Sequence, residues 1–214
     1  MAGSVAAVLL VGAVLLDTSR RDTGFAAVRD VGRTVATGRA RRFLISQTLA
    51  GIGVGTILVY QVPAMTAAGL ALGAASFWAG FRGFAQLGGR LPLMPLVRRI
   101  GVANSLRLAY AAIAVGSVAL AFAGNHVLAA LYAIVAGFGI GAVSPLVGMH
   151  SRNVFGETSL GTAMGLVSLV FYGASAVGPV ATASIAEASG SRSLPVALSA
   201  AVVGLAALVV RSTD

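Results

Sequence analysis

The sequence predicts an all-α integral membrane protein, with six full transmembrane helices arranged as a 3+3 inverted-repeat bundle behind a short N-terminal membrane helix. Three observations lead there. First, 57% of the 214 residues are hydrophobic and only 10% are charged, with a mean hydropathy of +0.93. A soluble domain carries about 25% charged residues, and it needs polar groups to cover its own exterior. Second, the charges bound apolar runs of spanning length. Third, the chain has no lysine, and its arginines gather in alternate connections between those runs.

A spanning helix takes roughly 20 apolar residues, at 1.5 Å rise each, to cross about 30 Å of hydrocarbon. Phe43 to Phe81 is one uncharged run with room for two crossings, and Gln61 and Pro63 mark a turn between them. Leu108 to Ser151 carries a single arginine-free double span, with Gly124, Asn125 and His126 as its turn. Thr158 to Ala186 and Ser193 to Val210 suit one span each. The predicted helices are 43–62, 66–88, 102–123, 127–149, 160–184 and 194–210. Residues 2–16 reach about three quarters of a crossing. The domains are therefore a truncated membrane helix at 1–16, a basic cytoplasmic connection at 17–42, the six-helix unit at 43–210 and a cytoplasmic tail at 211–214.

Arginine placement orients the bundle, because short cytoplasmic loops retain Arg and Lys. One side receives the 17–42 connection, the 88–101 hinge, the Arg152 loop and the Arg211 tail, whereas the other receives only Arg192. The hinge reads as a cytoplasmic turn and the C-terminus as cytoplasmic. Counting back places Met1 outside, as in a chain that begins mid-protein. Within 17–42, Phe25, Val28, Val31 and Val35 recur at helical spacing, with Arg29 and Arg33 on other faces. This is either a helix lying on the inner membrane surface or a disordered basic connector. The net charge of +9 is thus topological, which argues against a nucleic-acid partner.

Several chemistries have no residues to support them. Cysteine is absent, so there is no disulfide framework and no thiolate. Only His126 and His150 supply imidazole, and no catalytic set or metal constellation has a useful spacing. The chain is expected to be no enzyme and to hold no cofactor or metal. Asp17, Asp22, Asp30, Glu157, Glu187 and Asp214 all fall in loops or at span ends, so the spans carry no mid-membrane carboxylate for proton coupling.

Glycine signatures recur. GIGVG at Gly51–Gly55 lies in the first full helix and GFGIG at Gly137–Gly141 in the fourth; GLALG at Gly69–Gly73 opens the second and GTAMG at Gly161–Gly165 the fifth. The helices read as two triplets with matching members marked alike. Transporters use such three-plus-three repeats and weaken helices along the transport path. Small-residue packing between helices is the other reading.

Together these features resemble the C-terminal six-helix half of the major facilitator superfamily. The resemblance covers about 43–210, with the N-terminal stub similar to the sixth helix and RRDTGF…RARR to the central loop. GGRLPLMPLVRRIG falls where the family repeats its Gly-x-Leu-x-Asp-Arg-x-Gly-Arg-Arg loop. Leu96, Arg99 and Gly101 match it, whereas Met94, Arg98, Val102 and Ala103 depart from it. The missing acid puts the charge relay of that loop in doubt. SRNVFGETSLGTAMGL and GASAVGPVATASIAEASGS resemble the start and the Gly-Pro exit of the family's eleventh helix. The resemblance implies alternating-access transport of a small organic solute by a secondary carrier of the inner (plasma) membrane, paired with a second six-helix half; the arginine-only, alanine- and glycine-rich usage suggests a bacterial source. The alternative is a non-transporting membrane protein: a truncated remnant, or a scaffold that binds a partner through basic loops.

Arg82 is the most informative candidate. It lies about two turns inside its helix, where a charge costs roughly 2.5–3.5 kcal/mol unless it snorkels or faces water. Either it reaches the headgroups or it faces a cavity and attracts an anionic solute. Gln86 follows one turn later on the same face. Tyr60 and Tyr172 are the tyrosine candidates for solute contact, against an interfacial or packing role. Gly89, Arg90, Leu96, Arg98, Arg99 and Gly101 form the conformational loop, and Pro145 after Gly141 is expected to kink the fourth helix.

Overall fold

The computed structural model describes residues 33, 35, 37–157, 160–191 and 193–210. The predicted N-terminal membrane helix, most of the basic connection, Arg192 and the 211–214 tail lie outside the described residues. Among those described there are six α-helices: α1 Gly38–Ala67, α2 Leu72–Arg90, α3 Leu93–Ala121, α4 His126–Phe155, α5 Leu160–Ser189 and α6 Ser193–Val209. Four of them, α1, α3, α4 and α5, are long and apolar enough to cross a membrane. α2 is diluted by Arg82, Gln86, Arg90 and its glycines, and α6 is apolar but has only 17 residues.

Several boundaries correct the sequence reading: α1 already begins at Gly38 within the expected basic connection, α4 runs through the expected Arg152 loop to Phe155, and α5 continues to Ser189; two further changes matter more. The expected turn at Gln61 and Pro63 is helix; α1 runs through both and ends at Ala67. A proline within a helix deletes one backbone donor but need not end it. Pro63 leaves only the Val59 carbonyl without its helical donor, and Thr66 Oγ1 adds side-chain bonds at 3.1 Å to Val62 O and Pro63 O just beyond it. The chain reverses instead at 68–71, where Gly69 takes φ 103°. The second correction concerns the hinge. α2 extends to Arg90, and α3 begins at Leu93 and breaks only at Gly101, with φ 79° and ψ 165°. The piece from Leu93 to Ile100 is helical because Leu93 is buried and Leu96 and Val97 are partly buried on its inner side, while Arg98 and Arg99 are exposed. At Gly101 a Cβ would oppose the left-handed backbone.

The main packed pairs are α3 with α4, α1 with α5, α2 with α4, α3 with α6 and α1 with α6. α2 and α5 are the outlying members, each seated mainly on one neighbour. α5 buries a single stripe of small residues, Ala163, Val167, Ala174, Gly178 and Thr182, and leaves Leu169, Tyr172, Val177 and Val180 exposed. Exposed apolar side chains of this number suit a hydrocarbon surround, in which helix association rests on close packing rather than on burial from water.

Glycine makes that packing close. A Cβ at Gly51 would meet Phe171 O and, at 3.0 Å, Ala174 Cβ; one at Gly55 would meet the Ser175 carbonyl; and one at Gly178 would meet Ile52 O. On the other side, a Cβ at Gly137 would lie 2.7 Å from Arg82 O, one at Gly141 would meet Gln86 O, and one at Gly89 would meet Phe138 O. Gly53 faces Ser199 O and Val203 of α6, as Gly139 faces Ala109 O and Ile113 of α3. The two sets correspond one to one along the chain: Gly51, Gly53 and Gly55 to Gly137, Gly139 and Gly141, and Phe171, Ser175 and Gly178 to Arg82, Gln86 and Gly89. By contrast, a Cβ at Gly73, Gly161 or Gly165 would meet nothing within 4 Å.

Candidate functional site

α1, α2 and α4 bring three polar side chains together within the bundle. Arg82 sits mid-helix on α2 and is only 9% exposed. Its Nε donates to Gln61 Oε1 of α1 at 3.0 Å, and the hydroxyl of Tyr132, on α4, donates to the same oxygen at 2.8 Å. The three helices can converge here because Gly137 lets the α2 backbone at Arg82 lie against α4. The guanidinium is therefore engaged inside the bundle by Gln61.

No carboxylate among the described residues pairs with this guanidinium. The single ion pair among the described residues joins Arg152 to Glu157, both exposed, and the other acid described, Glu187, lies near the end of α5. One further atom matters: Arg82 Nη1 is buried with no hydrogen-bond partner among the described residues. A buried donor without a partner costs about 1–3 kcal/mol, and more when charged. A guanidinium offers five donors in a planar fork suited to a carboxylate or phosphate. Gln61 thus holds Nε of Arg82, with Tyr132 bonded to the same Gln61 oxygen, and the buried Nη1 is left as a donor that an anionic group could use once the bundle opens around it.

The remaining candidates are distributed unevenly. Gln86 is half-buried one turn along α2 from Arg82, and its carbonyl lies under Gly141. Tyr60 is half-buried against the core. Tyr172 is 70% exposed on α5, its ring edge-on to Phe171 at 5.4 Å, and it does not join the Arg82 group. Gly89 is buried at the α2–α4 contact, Arg90 is exposed at the end of α2, and Leu96, Arg98, Arg99 and Gly101 belong to the first part of α3. Pro145 lies inside α4, four residues beyond Gly141, whose carbonyl it leaves without its helical donor.

Sequence reasoning missed Gln61, taken as a turn marker, and did not include Tyr132 among the candidates. Tyr132 lies among Ala129, Ala133 and Ala136, a small-residue setting that could have marked it as interior, whereas nothing local marks Gln61. It also missed two interhelical locks. Gln47 Nε2 donates to Tyr110 OH at 2.7 Å between α1 and α3, and Thr56 and Thr182 hydroxyls meet at 3.0 Å between α1 and α5. Thr182 also donates to Gly178 O at 2.8 Å, which leaves Thr56 as the donor of that pair.

Over its described residues the chain is an all-helical bundle with four helices long and apolar enough to cross a membrane, and its fold has a solved counterpart. Among solved structures it is similar to the E. coli fucose:proton symporter, with a TM-score of 0.66 and 17% sequence identity over 86% of this chain and 45% of that one. The likeness is one of fold, and the chain spans less than half the length of that symporter. No protein-family model matches the sequence, and no curated protein does.

Proposed function

We propose that the chain is one six-helix half of a secondary carrier that moves a small organic anion by alternating access, with Arg82 binding the anionic group. One observation carries the anionic assignment: a buried guanidinium whose Nη1 has no partner and which has no carboxylate beside it among the described residues. The likeness to a symporter supports the carrier reading, and the one-to-one match of close glycine contacts supports two triplets related as an inverted repeat. The exposed faces of α2 and α5 suit a second six-helix half, either a separate bundle or another copy. Gln86 lies within reach of the same solute site, and Tyr60 and Tyr172 would contact solute only after the bundle rearranges. The Leu96–Gly101 break and Pro145 serve as the flexing points. The arginine-bearing helix ends face the cytoplasm of a bacterial cell, in keeping with retention of Arg on that side.

The test is exchange of radiolabelled small carboxylates in proteoliposomes holding the chain with its second half. Arg82→Ala should abolish exchange with unchanged protein recovery, and Arg82→Lys should weaken it by about tenfold or more, because a point charge cannot replace the fork. Undiminished exchange in Arg82→Ala ends the assignment. A neutral hydroxylated solute carried equally by wild type and Arg82→Ala would favour a sugar, the solute named for the symporter of similar fold, recognised by polar groups such as Gln61 and Tyr132. No exchange of any solute, with two tagged copies or an added half present, would favour the non-transporting scaffold.

A further inference from the structure

At the arginine-bearing end of the bundle, a cavity of about 380 Å³ opens between the start of α1 and the ends of α4 and α6. Arg39, Arg42, Phe43 and His150 line it, with Val209 and Val210 as an apolar wall. His150 is only 3% exposed, packs edge-on to Phe43 with ring centroids 4.7 Å apart, and leaves Nδ1 buried without a hydrogen-bond partner. Arg39 and Arg42 are exposed and belong to the first turns of α1. The chemistry of the rim is one-sided: two guanidiniums, a buried imidazole and the positive end of a 30-residue helix. The carbonyl ends of α4 and α6 oppose an anion there with about half a unit charge each, which two full cations and the α1 N-terminus outweigh.

We propose that this cavity binds a phosphate group, carried by an anionic lipid headgroup or free in solution. Arg39 and Arg42 grip its oxygens, His150 Nδ1–H donates to it from the buried side, and Val209 and Val210 provide an apolar flank against which an acyl chain can lie. Basic pockets between membrane helices bind anionic headgroups in this way, and arginine recognises phosphate oxygens through paired donors. The site is remote from Arg82, and the inference holds whether or not the chain carries a solute.

The experiment uses the full chain purified in neutral detergent, with ligand retention read by native mass spectrometry and stability read from the melting midpoint. Phosphatidylglycerol, phosphatidylcholine and inorganic phosphate are the probes. Phosphatidylglycerol should be retained and should raise the midpoint, whereas phosphatidylcholine, whose own cation meets the arginines, should do neither. The double variant Arg39→Gln/Arg42→Gln should weaken retention by about tenfold or more, at roughly 1 kcal/mol per arginine. Both arginines are exposed, so that variant is expected to fold; His150→Phe, which removes the inner donor, should weaken retention as well. Arg98→Gln/Arg99→Gln removes the same charge elsewhere and should retain the lipid as wild type does. Competition by millimolar inorganic phosphate identifies a free phosphate as the ligand, and its absence identifies the lipid. Equal retention by wild type and Arg39→Gln/Arg42→Gln overturns the proposal. So does equal loss in Arg98→Gln/Arg99→Gln, because the interaction would then belong to basic charge in general.

Discussion

At Gln61 a single carbonyl oxygen accepts from the Arg82 guanidinium and from the Tyr132 hydroxyl, so one side chain ties α1 to both α2 and α4. Gln61→Leu would strand two buried donors, one of them charged. It should lower stability by about 1–3 kcal/mol or more, seen as an earlier melting midpoint in detergent. Gln61→Glu keeps the acceptor and adds a counter-charge, and it should melt at or above the wild type. If both variants melt alike, the Gln61 oxygen is not what holds the guanidinium. The Gln47–Tyr110 bond has a smaller expected effect. Interhelical hydrogen bonds in membranes average about 0.6 kcal/mol, because the separated helices find other partners; Tyr110→Phe should therefore shift the midpoint only slightly.

Among the helices, glycine decides who packs on whom. Gly141→Val would drive a side chain into the Gln86 carbonyl, and Gly51→Val would do the same at Phe171. Each should cost about 1–3 kcal/mol or more, since backbone cannot move aside as a flexible side chain does. Gly165→Ala has open space around it and should be neutral, or stabilise by up to ~1 kcal/mol through helix propensity. Melting curves of the three variants check this directly, and equal behaviour would deny the glycine contacts their role. The GLALG and GTAMG signatures thus differ from GIGVG and GFGIG in what they do: Gly69 turns the chain, whereas Gly73, Gly161 and Gly165 touch nothing. At the break in α3, Gly101→Ala should strain the backbone by about 1–2 kcal/mol.

For the bundle as a unit, alternation brings residues 68–71, 122–125 and 190–191 to one end, where Ala68, Phe122, Gly124 and Ser191 line a common hollow. Gly38, His150 and Val210 meet at the other end. Because the chain has no native cysteine, single replacements report sidedness cleanly. Ala68→Cys and Asn125→Cys should react with a membrane-impermeant maleimide from one face, and Leu91→Cys and Glu157→Cys from the opposite face. Labelling of Ala68→Cys and Leu91→Cys from the same face would contradict the crossing pattern.

Composition and the length of the apolar runs determined the membrane character and the all-helical class, because those properties follow from local apolar length alone. The close packing through GIGVG and GFGIG was also legible, since only small residues permit it. Gln61 was not: beside Pro63 it carries the local signature of a turn, and only α2 and α4, far along the chain, give it donors that make it an interior residue. Leu93 to Ile100 looked like loop for a similar reason, as Pro92 just before it and Pro95, Arg98 and Arg99 within it mask an inward apolar side that exists only once the bundle is assembled. The free edge of Arg82 belongs to the tertiary structure as well. Its charge was evident in the sequence, but whether it ran to the headgroups or turned inward depended on an acceptor supplied by another helix.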